Sequence, residues 1–147
     1  MNHLSTEQQT LLMLLQKSLW RKASSLPEQV NWQAVDTMAK QQGVLALAYD
    51  GAVAFKAQLP ADIHQKWNQT TMMSVMRNER LLAAQDQVLA WLEAENIPAV
   101  VLKGCTVARY YPQPDLRVLG DVDILIPREN LGRVKEIMLQ HEYTFYE

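Results

Sequence analysis

The amino-acid sequence predicts an α+β protein, with an α-helical N-terminal region over residues 1–95 and a small α/β core over residues 96–147, built on a mixed sheet of about three strands. Three observations carry that expectation. Apolar residues recur at helical spacing through the first two thirds of the chain, and the stretch from Ala61 to Asn96 holds neither Pro nor Gly. After Asn96 the pattern changes to two short apolar runs, "IPAVVLKG" and "VDILIP", each closed by Gly or Pro in the manner of buried strands. Segments of helical spacing follow each run, which is the order expected of a small α/β unit.

The elements follow in turn. Ser5 is placed to cap a first helix, with Gln8 reaching back in a capping box, and Leu11, Leu12, Leu15 and Leu19 form its apolar stripe. The chain turns through "SSLPEQVNW", where Asn31 suits the N-cap of a second helix carrying Val35, Met38 and Ala39. Gly43 is placed to end it, since glycine takes the left-handed conformation without strain.

"VLALAYDGAVAF" is apolar nearly all round and reads as a buried helix despite Gly51, with a strand as the competing reading. Pro60 opens a further helical stretch, one long helix or two nearly collinear ones, with Met72, Val75, Met76, Leu82, Leu89 and Leu92 at helical spacing. Beyond the first strand, "CTVARYY" has room for two helical turns and "PQPDLRVLGD" is a polar turn. After the second strand, "RENLGRVKEIMLQHEY" is amphipathic, with Leu131, Val134, Ile137 and Met138 facing inward. "YTFYE" begins a third strand.

Composition narrows the function. The chain has 147 residues, 48% hydrophobic and 20% charged, the profile of a globular domain able to bury a core. A formal net charge of -2 with no block of Lys or Arg argues against duplex nucleic acid as a partner. Cys105 is the single cysteine, which excludes an internal disulfide and fits a reducing cytoplasm. "LLMLL" is too short to span a bilayer and lacks the flanks of a signal peptide, so a cytoplasmic chain without a membrane anchor is expected.

The chemistry concentrates in "GDVDILIP", Gly120 to Pro127. Strand side chains alternate, so Asp121 and Asp123 are expected on one face, and two carboxylates so close call for a cation between them. Hard oxygen ligands suit Mg²⁺ or Mn²⁺, and such an ion would clamp a nucleoside triphosphate. Alone, an Asp-x-Asp pair is more often a solvated strand end. Upstream, "LKG" closes the first strand, where Gly104 allows phosphate oxygens to approach the backbone and Lys103 adds a positive charge. Its bland counterpart is a strand-ending glycine beside a solvated lysine.

Other residues carry weaker signals. His3, His64 and His141 show no ligand spacing. Cys105 as a nucleophile is disfavoured against a small-residue role. Trp20, Trp32, Trp67 and Trp91, with "TMMSVM", are read as core rather than as a partner groove.

These residues together resemble the nucleotidyltransferase superfamily typified by DNA polymerase beta, and within it a bacterial nucleotidyltransferase-like family. The resemblance rests on "RNERLLAAQDQVLAWLEAENIPAVVLKG" and "YYPQPDLRVLGDVDILIP", is supported by "VNWQAVDTMAKQQGVLALAYD", and runs roughly from Val30 to Ile126. It implies a core of nucleotidyltransferase type in which Asp121 and Asp123 are the catalytic, metal-binding carboxylates and Gly104 serves the nucleotide-phosphate loop. Lys103 and Cys105 flank that glycine, Cys105 where the superfamily usually has Ser or Gly. Arg117 matches the family's arginine and is expected on a phosphate, with an ion pair to Asp115 or Asp121 as the structural alternative.

The implied reaction moves a nucleotidyl group from an NTP, with Mg²⁺ or Mn²⁺, to a hydroxyl of an unassigned acceptor. The superfamily also needs a third carboxylate on a later strand. After Asp123 the acidic residues are Glu129, Glu136, Glu142 and Glu147, none in such a context, so the chain reads as the N-terminal part of a longer pattern with an incomplete core. The alternative from a different class is a non-catalytic interaction module, or a remnant, whose short sheet is completed by a homodimer or a partner chain. A plain helical scaffold with solvated aspartates is the third reading.

Overall fold

Ser5 begins the first helix as its sequence implies: its hydroxyl accepts from the Gln8 N–H at 3.2 Å while the Gln8 side chain accepts from the Ser5 N–H at 2.9 Å. The structure is a computed structural model that describes residues 4–22 and 25–145. Helix α1 spans Thr6–Trp20, α2 Trp32–Gln41, α3 Leu45–Phe55 and α4 Ala61–Ala94. Strand β1 (Val100–Leu102), helix α5 (Gly104–Ala108), strand β2 (Asp123–Leu125) and helix α6 (Leu131–Gln140) complete the order, with 3-10 turns at Pro114–Leu116 and Arg128–Asn130. No described helix is long and apolar enough to cross a membrane.

The chain divides into two compact units. One takes the chain up to Asn78 together with Ala108–Val118; the other takes Glu79–Val107 and the chain from Leu119 onward. In the first, Asn31 caps α2 by accepting from the Ala34 N–H at 3.2 Å, and Gly43 follows that helix at φ +65°, the left-handed turn that only glycine takes freely. Leu11, Leu14, Val35, Ala39, Leu45, Ala48, Ala52, Ile63 and Trp67 form its core, so α1 to α3 and the start of α4 share one apolar centre. A second cluster joins Ala46 and Leu47 to Leu116, with Leu15, Leu19, Val75 and Tyr111 packed around it.

A buried carboxylate ties α2 to α4 within this unit. Asp36 accepts from Trp67 Nε1 at 2.8 Å, from Lys66 Nζ at 2.7 Å and from Lys40 Nζ at 3.1 Å. Burial alone would raise its pKa, but the hydrogen bonds from Lys66, Lys40 and Trp67 outweigh that effect and hold the carboxyl below its ordinary range. The same contact raises the Lys66 pKa, first through its hydrogen bond with Asp36.

The second unit pairs β1 with β2 in antiparallel register, Val100 opposite Leu125, Val101 opposite Ile124 and Leu102 opposite Asp123. Ile124 joins Val88, Leu92, Ile97, Ile137, Val134 and Met138 in the apolar cluster beneath the sheet. Trp91 stacks on His141 with ring centroids 3.6 Å apart, and Arg133 of α6 binds Glu95 through two hydrogen bonds of 3.2 and 2.9 Å.

The α+β class holds, and several particulars differ from the expectation. The sheet is two-stranded and antiparallel among the described residues. Tyr143–Phe145 are not in a strand, and the rest of "YTFYE" lies outside the described residues. "IPAVVLKG" is not buried on both faces: Val100 and Leu102 are exposed, because with two strands only the face bearing Val101 and Ile124 is partly covered. On α4, Met72 and Met76 are exposed, while Ile63, Trp67, Val88 and Leu92 are the buried apolar positions. Leu12 and Leu131 likewise face solvent. The tryptophans divide: Trp67 is fully buried, Trp32 and Trp91 partly, and Trp20 is exposed.

Candidate nucleotide and metal site

The turn that carries "LKG" begins where β1 ends. Leu102 is the last ladder residue, Lys103 follows at φ +50°, and α5 starts at Gly104. The Lys103 carbonyl accepts from the N–H groups of Thr106 and Val107 at 2.8 and 3.2 Å, and the Thr106 hydroxyl donates to the Val101 carbonyl at 3.3 Å. These bonds fix the turn against β1. Among the described residues the other non-glycines at positive φ are Arg21, Lys56, Asn96 and Glu142, all just after helix C-termini where a left-handed residue closes the last turn. Lys103 alone among them precedes a helix, so ordinary capping does not account for its left-handed backbone.

Gly104 has room to spare. A Cβ built there would lie 3.6 Å from the Asp121 carbonyl oxygen and 3.9 Å from Leu119 Cδ2, both ordinary contacts, so internal packing does not demand a glycine. What the contact does show is that the "LKG" turn and the "GDVD" segment lie side by side. Their side chains meet as well: Lys103 Nζ stands 3.4 Å from Asp123 Oδ2. Leu102 and Asp123 are opposite each other in the ladder, and this register holds the two segments together. The ladder begins at Asp123, so Asp121 precedes the strand; it is exposed, while Asp123 is partly buried. Cys105 is a free, partly buried thiol in the first turn of α5.

Arg117 belongs to the other unit, at the end of the 3-10 turn Pro114–Leu116. Its N–H donates to the Pro114 carbonyl at 3.1 Å, and its own carbonyl accepts from Asn78 Nδ2 at 2.7 Å. Asn78, buried on α4, also donates to the Asp115 carbonyl at 2.9 Å. In the sequence the only signal for Asn78 is a polar residue embedded in the "MRNER" stretch of a long helix.

The donor set fits a hard cation in part. Mg²⁺ is commonly held by one or two carboxylates, with phosphates and water filling its other positions, and Asp121 with Asp123 supplies two. The Asp123 carboxylate already has a cationic partner in Lys103. Among the described residues no group of three or more His, Cys, Asp or Glu side chains gathers to hold an ion. Glu129 lies in the second 3-10 turn, Glu136 pairs with Arg133 on α6 and Glu142 follows α6, so no later described strand bears a carboxylate. A cleft of about 550 Å³, lined by Leu89, Glu93, Asn96, Ile97, Pro98 and Ala99, opens at the opposite end of β1 and includes none of Lys103, Gly104, Cys105, Arg117, Asp121 and Asp123.

Comparison with known families gives a match over residues 28–147 to the model described as uncharacterised nucleotidyltransferase, far more than half of the chain. The chain belongs to that family. No curated protein and no solved structure matches it. The matched stretch of this nucleotidyltransferase family member contains α2 to α6 and both strands, and with them Lys103, Gly104, Cys105, Arg117, Asp121 and Asp123. It leaves α1 outside, although α1 supplies Leu11 and Leu14 to the first core.

Proposed function

We propose that this nucleotidyltransferase-like protein binds a nucleoside triphosphate with Mg²⁺ or Mn²⁺ in a polymerase beta-like core that includes both strands and the segments "LKG" and "GDVD". The observation that supports this most is the contact between the two motifs: Lys103 of "LKG" against Asp123 of "GDVD", with Gly104 beside the Asp121 main chain. Glycine at 104 is unexplained by packing and consistent with a backbone that something else must approach. A left-handed lysine in the same turn is backbone strain of the kind that collects at ligand sites.

In this reading Asp121 and Asp123 offer oxygen ligands to the ion. Lys103 gives its positive charge to the triphosphate, and Cys105 supplies a small side chain beside the phosphates. Arg117 contacts a phosphate, a role drawn from its sequence position alone. When bound, the ion supplies charge neutralisation along the triphosphate and polarises the phosphorus under attack. Transfer would be to a hydroxyl of an acceptor.

Calorimetric titration of ATP or CTP with Mg²⁺ into the wild type, and into Asp121→Ala combined with Asp123→Ala, tests the proposal. Binding by the wild type that vanishes in the double variant is expected; absence of binding by the wild type would sink the ligand assignment.

A second reading has its own observation. Two strands of three residues each, with Val100, Leu102 and Leu125 exposed on one face, make a sheet of marginal independent stability. A non-catalytic module that completes this sheet by homodimerisation or with a partner chain would pair its open edges. Sedimentation showing a clean monomer at micromolar concentration would count against it.

A further inference from the structure

Lys103 stands between two roles that conflict. As a phosphate ligand it belongs with the nucleotide, yet its ammonium sits 3.4 Å from the carboxylate that would bind the metal. A divalent cation approaching Asp123 therefore meets a positive charge already in place, whose repulsion, moderated by solvent at this exposed site, opposes binding there. The exposures of the two side chains are unequal: Lys103 is 77% exposed and Asp123 37%. Asp123 is held by the ladder, whereas the ammonium rides on a flexible four-carbon stem and can swing away.

We propose that Lys103 is a competing counter-ion that couples metal binding to nucleotide binding. In the nucleotide-free protein the ammonium neutralises Asp123 and disfavours a lone divalent ion. A triphosphate, with several negative charges, offers the ammonium a better partner, draws it off Asp123 and so opens that carboxylate to the cation. Ion and nucleotide then bind as a pair, and by linkage each favours the other to the same degree.

The strained turn supports this role. The left-handed backbone at Lys103 comes directly after the ladder residue Leu102, whose register partner is Asp123, so the lysine leaves the sheet beside the carboxylate. The inference rests on the metal-site reading of Asp121 and Asp123, and it goes beyond that reading by assigning Lys103 opposite effects on two ligands.

The test measures Mn²⁺ alone, by electron paramagnetic resonance of the free ion, and ATP with Mg²⁺ by calorimetry, on the full chain. In Lys103→Gln, Mn²⁺ alone should bind about two- to fivefold more tightly, the range set by an exposed ion pair, while ATP with Mg²⁺ binds more weakly. Arg128→Gln, which removes another exposed cation just after β2, serves as the control for net charge. Unchanged or weaker Mn²⁺ binding in Lys103→Gln, or equal tightening in Arg128→Gln, would overturn the competition while leaving the site intact, provided Asp121→Asn with Asp123→Asn abolishes Mn²⁺ binding. If wild-type Mn²⁺ binding is absent or survives that double substitution, the metal site itself is wrong and the competition falls with it.

Discussion

Gly51 of α3 lies directly against the main chain of Leu14 of α1: a Cβ on Gly51 would come within 3.0 Å of three Leu14 backbone atoms. The glycine that weakens α3 as an isolated helix is what allows α1 and α3 to touch backbone to backbone. Gly51→Ala should therefore destabilise the protein by about 1–3 kcal/mol, the range of an overpacked core, although alanine is the better helix former. Urea denaturation followed by circular dichroism measures it, and a stabilised variant would contradict the close approach.

The Asp36 network predicts a response to acid. A carboxyl held below its ordinary value in the folded state contributes stability that is present above about pH 4, its unfolded value, and is lost as pH falls through the lower folded value. Asp36→Ala should cost about 2–4 kcal/mol at neutral pH, because it leaves Trp67 Nε1 and two ammonium groups without their acceptor. It should also flatten the acid limb of a plot of stability against pH below about 4. A variant with an unchanged acid limb would show that other carboxylates govern it.

Asn78 donates to the Asp115 and Arg117 carbonyls from a buried position. Asn78→Ala leaves both acceptors short of a donor and should cost about 2 kcal/mol. Amide exchange should accelerate first at Leu116 and Arg117, whose N–H groups bond within the same turn. Exchange unchanged there would mean that Leu116, packed on Ala46 and Leu47, holds the turn without the amide.

The left-handed backbone at Lys103 carries a steric cost that glycine would not. Lys103→Gly removes the steric cost of positive φ, so thermal unfolding should show stability equal to the wild type or higher by up to about 1 kcal/mol. A clear loss of stability would mean that the ion pair with Asp123 matters to folding more than an exposed pair should.

What the sequence made legible is what depends on near neighbours. Ser5 with Gln8, Asn31 and Gly43 act within four residues of themselves, and each caps or ends its helix as expected. Helical spacing located α4 but not its buried face: Met72 and Met76 fit the stripe and lie in solvent, since burial depends on which other elements arrive. The meeting of "LKG" with "GDVD" was foreshadowed by two adjacent apolar runs, whereas the antiparallel register that brings Lys103 to Asp123 is a long-range fact. Asp36 and Asn78 were invisible for the same reason. A polar side chain inside a helical pattern reads as surface until its distant donors or acceptors are known.

The division of the chain also bears on any effort to take the protein apart. The path passes from one unit to the other after Asn78, returns at Ala108 and leaves again after Val118, so neither unit is written as one uninterrupted stretch. A fragment stopped at Asn78 lacks Leu116, the neighbour of Ala46 and Leu47, and the turn whose carbonyls Asn78 holds. Gene dissection at a single boundary would thus give pieces with missing parts, and a faithful minimal version of either unit would need its two segments re-joined by a designed linker.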